Sequence, residues 1–186
     1  YMTEQVVPGL EVLLDHPPAQ IKDKRIGLLA NPASVDSHFN HAASLISDRF
    51  GGQLTTLFSP QHGFYAEKQD NMIESSHFTA PGLNIPVFSL YSKTRKPSRE
   101  MFDHIDVLLV DIQDVGTRVY TFIYTISFCL EAAAEMNKKV IILDRPNPIG
   151  GLQVEGNLLE PEFSSFVGRY PIPMRHGLTV GEISAY

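Results

Sequence analysis

The chain has 186 residues, 43% of them hydrophobic and 19% charged, with a formal net charge of −6. That composition fits one globular domain with a real core, and the acidic balance excludes a protein that follows nucleic-acid phosphates along a basic face. The single cysteine, Cys129, excludes an internal disulfide framework and a cysteine zinc cluster. Its apolar neighbours mark it as a core residue.

In chain order, five short runs are continuously apolar: Ile26–Ala30, 54–58, 87–90, 107–110 and 140–143. Unbroken rather than alternating hydrophobicity predicts strands buried on both faces. Between the first two, Phe39, Ala42, Ala43, Leu45 and Ile46 recur at helical spacing. Between the third and fourth, Pro97-Ser98 opens a short helix reaching about residue 104. Between the fourth and fifth, a longer helix is predicted over 117–138, with Thr117 as N-cap and a basic last turn. This stretch holds Tyr120, Thr121, Tyr124, Thr125, Ser127 and Glu131, so it is too polar to span a bilayer. Strand and helix in alternation predict an α/β fold with a mostly parallel sheet and helices on both faces.

Residues 1–150 are expected to form the α/β core, and 151–186 an extension beyond it. "TVGE", from Thr179 to Glu182, is a capping box that starts a helix. Only about one turn follows before Tyr186, so the chain reads as the N-terminal piece of a longer protein. No export signal is visible, and one would have to precede Tyr1.

Ligands of open parallel sheets bind beyond the carboxyl ends of the strands. Each strand here releases polar residues at that end: Asn31 after the first, "SPQHGFYAE" with His62 and Glu67 after the second, and "YSKTRK" with Lys93 and Arg95 after the third. "DIQDVGTRVY" follows the fourth, with Asp111, Gln113, Asp114, Arg118 and Tyr120; "DRPNPIGG" follows the fifth, with Asp144, Arg145 and Asn147. Nothing comparable marks the amino ends. Asp144 has a bland alternative as the cap of its own Pro-rich turn.

Several chemistries are disfavoured. "ANPASVDSH" supplies no glycine fingerprint for a dinucleotide, and no phosphate-binding P-loop motif is present. No serine sits in a nucleophile elbow. His62, Asp70 and His77 share a segment but lack helical ligand spacing, so no metal or other cofactor is expected. Carboxylate chemistry remains. Cleaving a glycosidic bond takes a protonated carboxyl to donate to the leaving oxygen and usually a second group opposite. Glu67 is the best donor, because Phe64 and Tyr65 beside it favour the protonated form. Asp111, Asp114 and Glu155 are open as the second carboxylate, with His62 orienting the acid or the sugar.

Taken together, "SPQHGF", "SLYSKTRKP", "DIQDVGTRVYTF", "LDRPNPIGG" with "VEG" behind it, and "YPIPMRHGLTVGE" resemble the exo-β-N-acetylmuramidase NamZ family of bacterial glycoside hydrolases. The blocks run nearly the whole chain in the family's order. The resemblance implies a Rossmann-like N-terminal domain bearing the catalytic residues and a smaller C-terminal domain closing the cleft. It implies removal of N-acetylmuramic acid from the non-reducing end of peptidoglycan fragments, and places the family's catalytic glutamate at Glu67. Many members carry "PEHG" where this chain has Gln61-His62-Gly63, so a carboxylate at position 61 is absent. The muramic acid lactyl group is itself a carboxylate, and Lys93, Arg95, Arg118, Arg145 and Arg175 are the cations available for it. Asn31, Gln113, Tyr120, Asp144, Asn147 and His176 complete the expected substrate contacts. An extracytoplasmic location is expected. No nucleic acid partner or membrane span is, and the alternatives are an inactive cell-wall sugar-binding module or a metal-dependent hydrolase.

Overall fold

The structure, a computed structural model, describes residues 6–61, 63, 78–91 and 94–186. Among these, β1 (Ile26–Ala30), β2 (Leu54–Ser59), β4 (Pro86–Ser89), β5 (Val107–Asp111) and β6 (Lys139–Ile142) run parallel. The two-residue β3 (Phe78–Thr79) adds antiparallel to the edge, giving the order β3-β4-β2-β1-β5-β6. The chain builds outward from β1 to β2 and β4, then returns past β1 to lay down β5 and β6. The order therefore reverses between β1 and β5, which in open α/β sheets is where ligands bind.

Within each strand, successive side chains enter opposite cores. Ile26, Leu28, Ala30, Val107 and Leu109 pack on the face covered by α1 (Gly9–Asp15) and α2 (Ala42–Phe50). Leu29, Leu108 and Val110 pack on the face covered by α3 (Arg99–Phe102) and α4 (Phe122–Glu135), where Cys129 is fully buried. Burial pushes the Cys129 thiol pKa up, so it stays protonated as a core residue.

Both ends of the long helix differ from the sequence expectation. The long helix starts at Phe122 after Thr121, not at Thr117. Thr117 is instead held in an antiparallel bridge to Arg175, and the Arg118 N–H donates to the Met174 carbonyl at 2.8 Å. The helix also ends at Glu135, short of the basic residues; Lys138 reaches back to donate to the Ile105 carbonyl. Neither α1 nor β3 was expected from the sequence.

Ser98 caps α3, accepting from the Met101 N–H. The capping box forms as read: Thr179 Oγ1 accepts from the Glu182 N–H, and the Glu182 carboxylate accepts from the Thr179 N–H at the start of α5 (Val180–Ala185). Residues 151–186 fold back over the body, with Ile172 packed on Ile123 and Tyr124 of α4. No helix among the described residues is long and apolar enough to cross a membrane.

Candidate active site

Asp111 closes β5. Two residues on from Leu109, it faces the α2 side of the sheet. Arg145, three residues past β6, meets it with a two-point grip: Nε donates to Oδ1 at 2.5 Å and Nη2 to Oδ2 at 2.8 Å. Their side chains are 0% and 6% exposed respectively. Burial pushes the Asp111 carboxyl pKa up, and the bonds and charge of Arg145 oppose it.

His41, at the N-cap of α2, lies within electrostatic reach of this pair. Its Nδ1 accepts from the Ala43 N–H and its Nε2 sits 3.0 Å from the Asn31 carbonyl. The imidazole is therefore neutral with its proton on Nε2, and burial holds its pKa below the ordinary value.

Asn31, buried at the exit of β1, donates from Nδ2 to the Gln113 carbonyl at 3.0 Å and contacts Ser34, whose hydroxyl also bonds the Asp111 carbonyl. The exits of β1 and β5 are thus tied across the point where strand order reverses.

Asp144 is occupied internally. Its Oδ1 accepts from the Gly181 N–H and its Oδ2 from Thr179 Oγ1, each at 2.8 Å, so it anchors the start of α5. Asn147 donates to the Leu178 carbonyl and accepts from the Ile149 N–H. Gln113 donates to the Asp114 and Pro146 carbonyls.

Arg118 spends Nη1 on the carbonyls of Asn157 and Ile172, at 2.8 and 2.7 Å, fastening the extension to the body. Arg175 bonds Gln153, the Ile149 carbonyl and Glu155, whose carboxylate is largely exposed. Tyr120 is half-buried, edge-on to Phe122 at 4.8 Å between centroids.

Asp114 differs from these. Its side chain is 7% exposed and that of His176 is 1% exposed, with His176 Nε2 3.6 Å from Asp114 Oδ2. Oδ2 accepts from the Gly116 N–H, and His176 Nδ1 accepts from the Leu178 N–H, which puts the histidine proton on Nε2. Asp114 Oδ1 and His176 Nε2 remain buried without a hydrogen-bond partner. Unmet polar atoms of this kind cost about 1–3 kcal/mol each.

Gln61 is buried and accepts from Thr121 Oγ1 at 2.8 Å, joining the exit of β2 to the start of α4. His62, Glu67 and Lys93 lie outside the described residues, as do Asp70 and His77. Among the described residues, no group of His, Cys, Asp and Glu converges as a metal site. Arg95 sits in a wedge of two tilted rings, with its guanidinium carbon 3.7 Å from the Tyr91 centroid and 4.2 Å from that of Phe166. Sequence reasoning passed over Ser34, His41 and Arg169. For His41 a signal existed, since it stands where the helical spacing before β2 begins; Arg169 stands alone in an irregular loop with none.

An open Rossmann-like sheet, with a buried charged pair and unsatisfied carboxylate and imidazole atoms at its carboxyl rim, is the architecture of an α/β protein that binds its ligand at the switch point. Residues 26–186 match the family described as "Exo-beta-N-acetylmuramidase NamZ, N-terminal", and the chain belongs to that family. It is 45% identical over 181 residues to the peptidoglycan beta-N-acetylmuramidase NamZ of Bacillus subtilis (strain 168), covering 97% of this chain and 44% of that protein. Two crystal structures of DUF1343 family proteins from Bacteroides fragilis superpose on it. One has a TM-score of 0.86 at 42% identity, over 96% of this chain and 44% of that one. The other has a TM-score of 0.78 at 34% identity, over 95% and 45%. The chain therefore spans less than half the length of these relatives.

Proposed function

We propose that this chain supplies the catalytic N-terminal part of an exo-acting glycosidase, which releases N-acetylmuramic acid from the non-reducing end of peptidoglycan fragments. The similarity to a named peptidoglycan muramidase over nearly the whole chain supports the reaction class. In this reading Glu67 donates a proton to the departing glycosidic oxygen, and a second carboxylate works at the anomeric centre.

One observation supports Asp114 as that second carboxylate. Asp111 has both oxygens held by Arg145. Glu155 is exposed and paired with Arg175 on the extension. Asp114 alone of the three is buried with an oxygen left over. That oxygen can face the positive charge that develops on the sugar ring or take a proton from an incoming water. His176, its proton fixed on Nε2 by the Leu178 N–H, is placed to hold Asp114 or a sugar hydroxyl. Peptidoglycan lies outside the cytoplasm, so the same reading places the protein there.

The test is release of a chromogenic phenol from a muramic acid glycoside by the full-length protein. Release supports the glycosidase. Binding of the glycoside without release points to a sugar-binding module instead, and loss of release on chelation to a metal-dependent hydrolase.

A further inference from the structure

One cation near the rim has no part in the mechanism above. Arg95 lies in the loop that leaves β4, and β4 pairs with β2, the strand whose following loop carries Glu67. The rings of Tyr91 and Phe166 hold the Arg95 guanidinium at 3.7 and 4.2 Å. Tyr91 and Phe166, tilted to one another with centroids 6.1 Å apart, form a wedge that holds the guanidinium, and its N–H groups make a planar fork suited to a carboxylate. Here one tine of the fork is idle: Arg95 Nη1 is buried and has no hydrogen-bond partner.

The neighbouring cations are satisfied. Lys96 pairs with Glu131 and Glu135, and Arg169 pairs with Glu131. Arg95 is the unpaired member of this group among the described residues. It borders a cavity of about 410 Å³ whose other walls are Phe128, Ser164, Ser165, Phe166 and Arg169. Arg169, held over Phe128 at 4.1 Å with bonds to Ser127 and Glu131, gives this cavity a second cationic wall. A space of that size suits a small ligand with an apolar or ring-shaped body.

The geometry points to an acid-recognising subsite: Arg95, backed by Arg169 across the cavity, binds a carboxylate carried by the substrate. This rests on the muramic acid reading of the rim. The carboxylate has two possible sources in such a substrate, the free lactyl group of the sugar or an acidic residue of an attached peptide. The bland reading is that Arg95 only clamps residues 164–170 against Tyr91, and the two readings separate by experiment.

Full-length protein is titrated calorimetrically with N-acetylmuramic acid, with N-acetylmuramyl-alanyl-glutamate, in which the lactyl carboxyl is consumed as an amide, and with N-acetylglucosamine, which has neither acid. A charge-assisted bond to a buried donor predicts at least tenfold tighter binding of an acid-bearing sugar than of N-acetylglucosamine. Preference for the free sugar acid identifies the lactyl source; preference for the glutamyl compound alone identifies the peptide. Arg95→Met keeps the stacked length without the charge, so it erases the preference and leaves the thermal midpoint in place. Arg95→Lys, which keeps charge but not the fork, gives an intermediate preference and serves if Arg95→Met fails to fold. An unchanged preference in both variants, or none in the parent protein, overturns the subsite. A protein that shows the preference but hydrolyses no muramic acid glycoside sinks the glycosidase reading and leaves the subsite standing.

Discussion

Arg145 meets Asp111 edge to edge across the carboxyl ends of β5 and β6, with both carboxylate oxygens engaged and both side chains almost wholly buried. A buried ion pair gains little over an apolar pair of the same shape, but removing one partner strands the other charge. Arg145→Met is therefore expected to lower stability by about 3–5 kcal/mol, read as a shifted urea midpoint. Adding Asp111→Asn removes the stranded charge and should recover part of the loss. Arg145→Lys should rescue poorly, since an ammonium cannot occupy both oxygens in the plane of the carboxylate. Equal stability of Arg145→Met and the parent protein would show that the pair is not formed.

His41 makes the same region sensitive to acid. Burial lowers its pKa in the folded protein, so the unfolded chain takes up the proton first as pH falls. The stabilisation is fully present above the unfolded value of 6.5 and is lost as pH drops through the depressed folded value. The urea midpoint should fall between about pH 7.5 and about pH 5.5, where an unperturbed histidine titrates. His41→Asn retains an N-cap acceptor but does not titrate, and should flatten that slope. An unchanged slope would assign the acid sensitivity elsewhere. Asp106, held down to about 2 by Arg25, acts only at lower pH, as the solution falls from 3.8 toward that value.

The sheet was legible because its strands are buried on both sides and so are continuously apolar. Ile26 to Ala30 divides between two cores only once neighbours are known, but its burial is plain from composition. The candidate site was read from the polar residues at the strand ends. What could not be read was the fate of individual side chains. Asp144, Asn147, Arg118 and Arg175 resemble ligand-binding residues in sequence, yet their partners include backbone amides and carbonyls of segments 149–181. A carbonyl has no sequence signature, so such roles are invisible before folding. The same contacts moved the start of α4: Arg118 and Thr117 bond to Met174 and Arg175, which competes with a helical turn there. Asp144 does act as a cap, but the helix it anchors lies far along the chain rather than in its own Pro-rich turn.

Gly9 and Gly52 should respond oppositely to alanine. Gly9 opens α1 against the strand exit, its N–H donating to the Asp144 carbonyl at 2.8 Å. A Cβ there would stand 2.5 Å from the Asp144 nitrogen and 2.6 Å from the Leu143 carbonyl carbon. Both are backbone atoms at the base of the site, so relief requires α1 to move away. Gly9→Ala should cost about 1–3 kcal/mol, the usual range for overpacking. Gly52 has nothing within 4 Å of its would-be Cβ. Gly52→Ala should be neutral or stabilising by up to about 1 kcal/mol through the unfolded chain. Paired thermal melts check this, and similar midpoints for the two variants would contradict the close approach of α1.

Glu67 carries the sharpest test of the proposed chemistry. Glu67→Gln keeps shape and hydrogen bonding but cannot donate a proton. General acid assistance is typically worth roughly 10²–10⁴-fold, so turnover of a natural disaccharide by the full-length protein should fall by about that factor with the thermal midpoint unchanged. The loss should shrink for a nitrophenyl glycoside, whose oxygen departs with little protonation. Asp114→Asn should behave differently: in the proposed mechanism its carboxylate acts at the anomeric centre rather than on the leaving oxygen, so its loss should persist on the nitrophenyl substrate. That contrast in leaving-group dependence separates the two roles without any structure of the complex. A merely structural Glu67 predicts a lowered midpoint and no dependence on the leaving group. Near-normal turnover by Glu67→Gln on the natural substrate would move the acid to Asp114, the one described carboxylate of the three with a buried free oxygen.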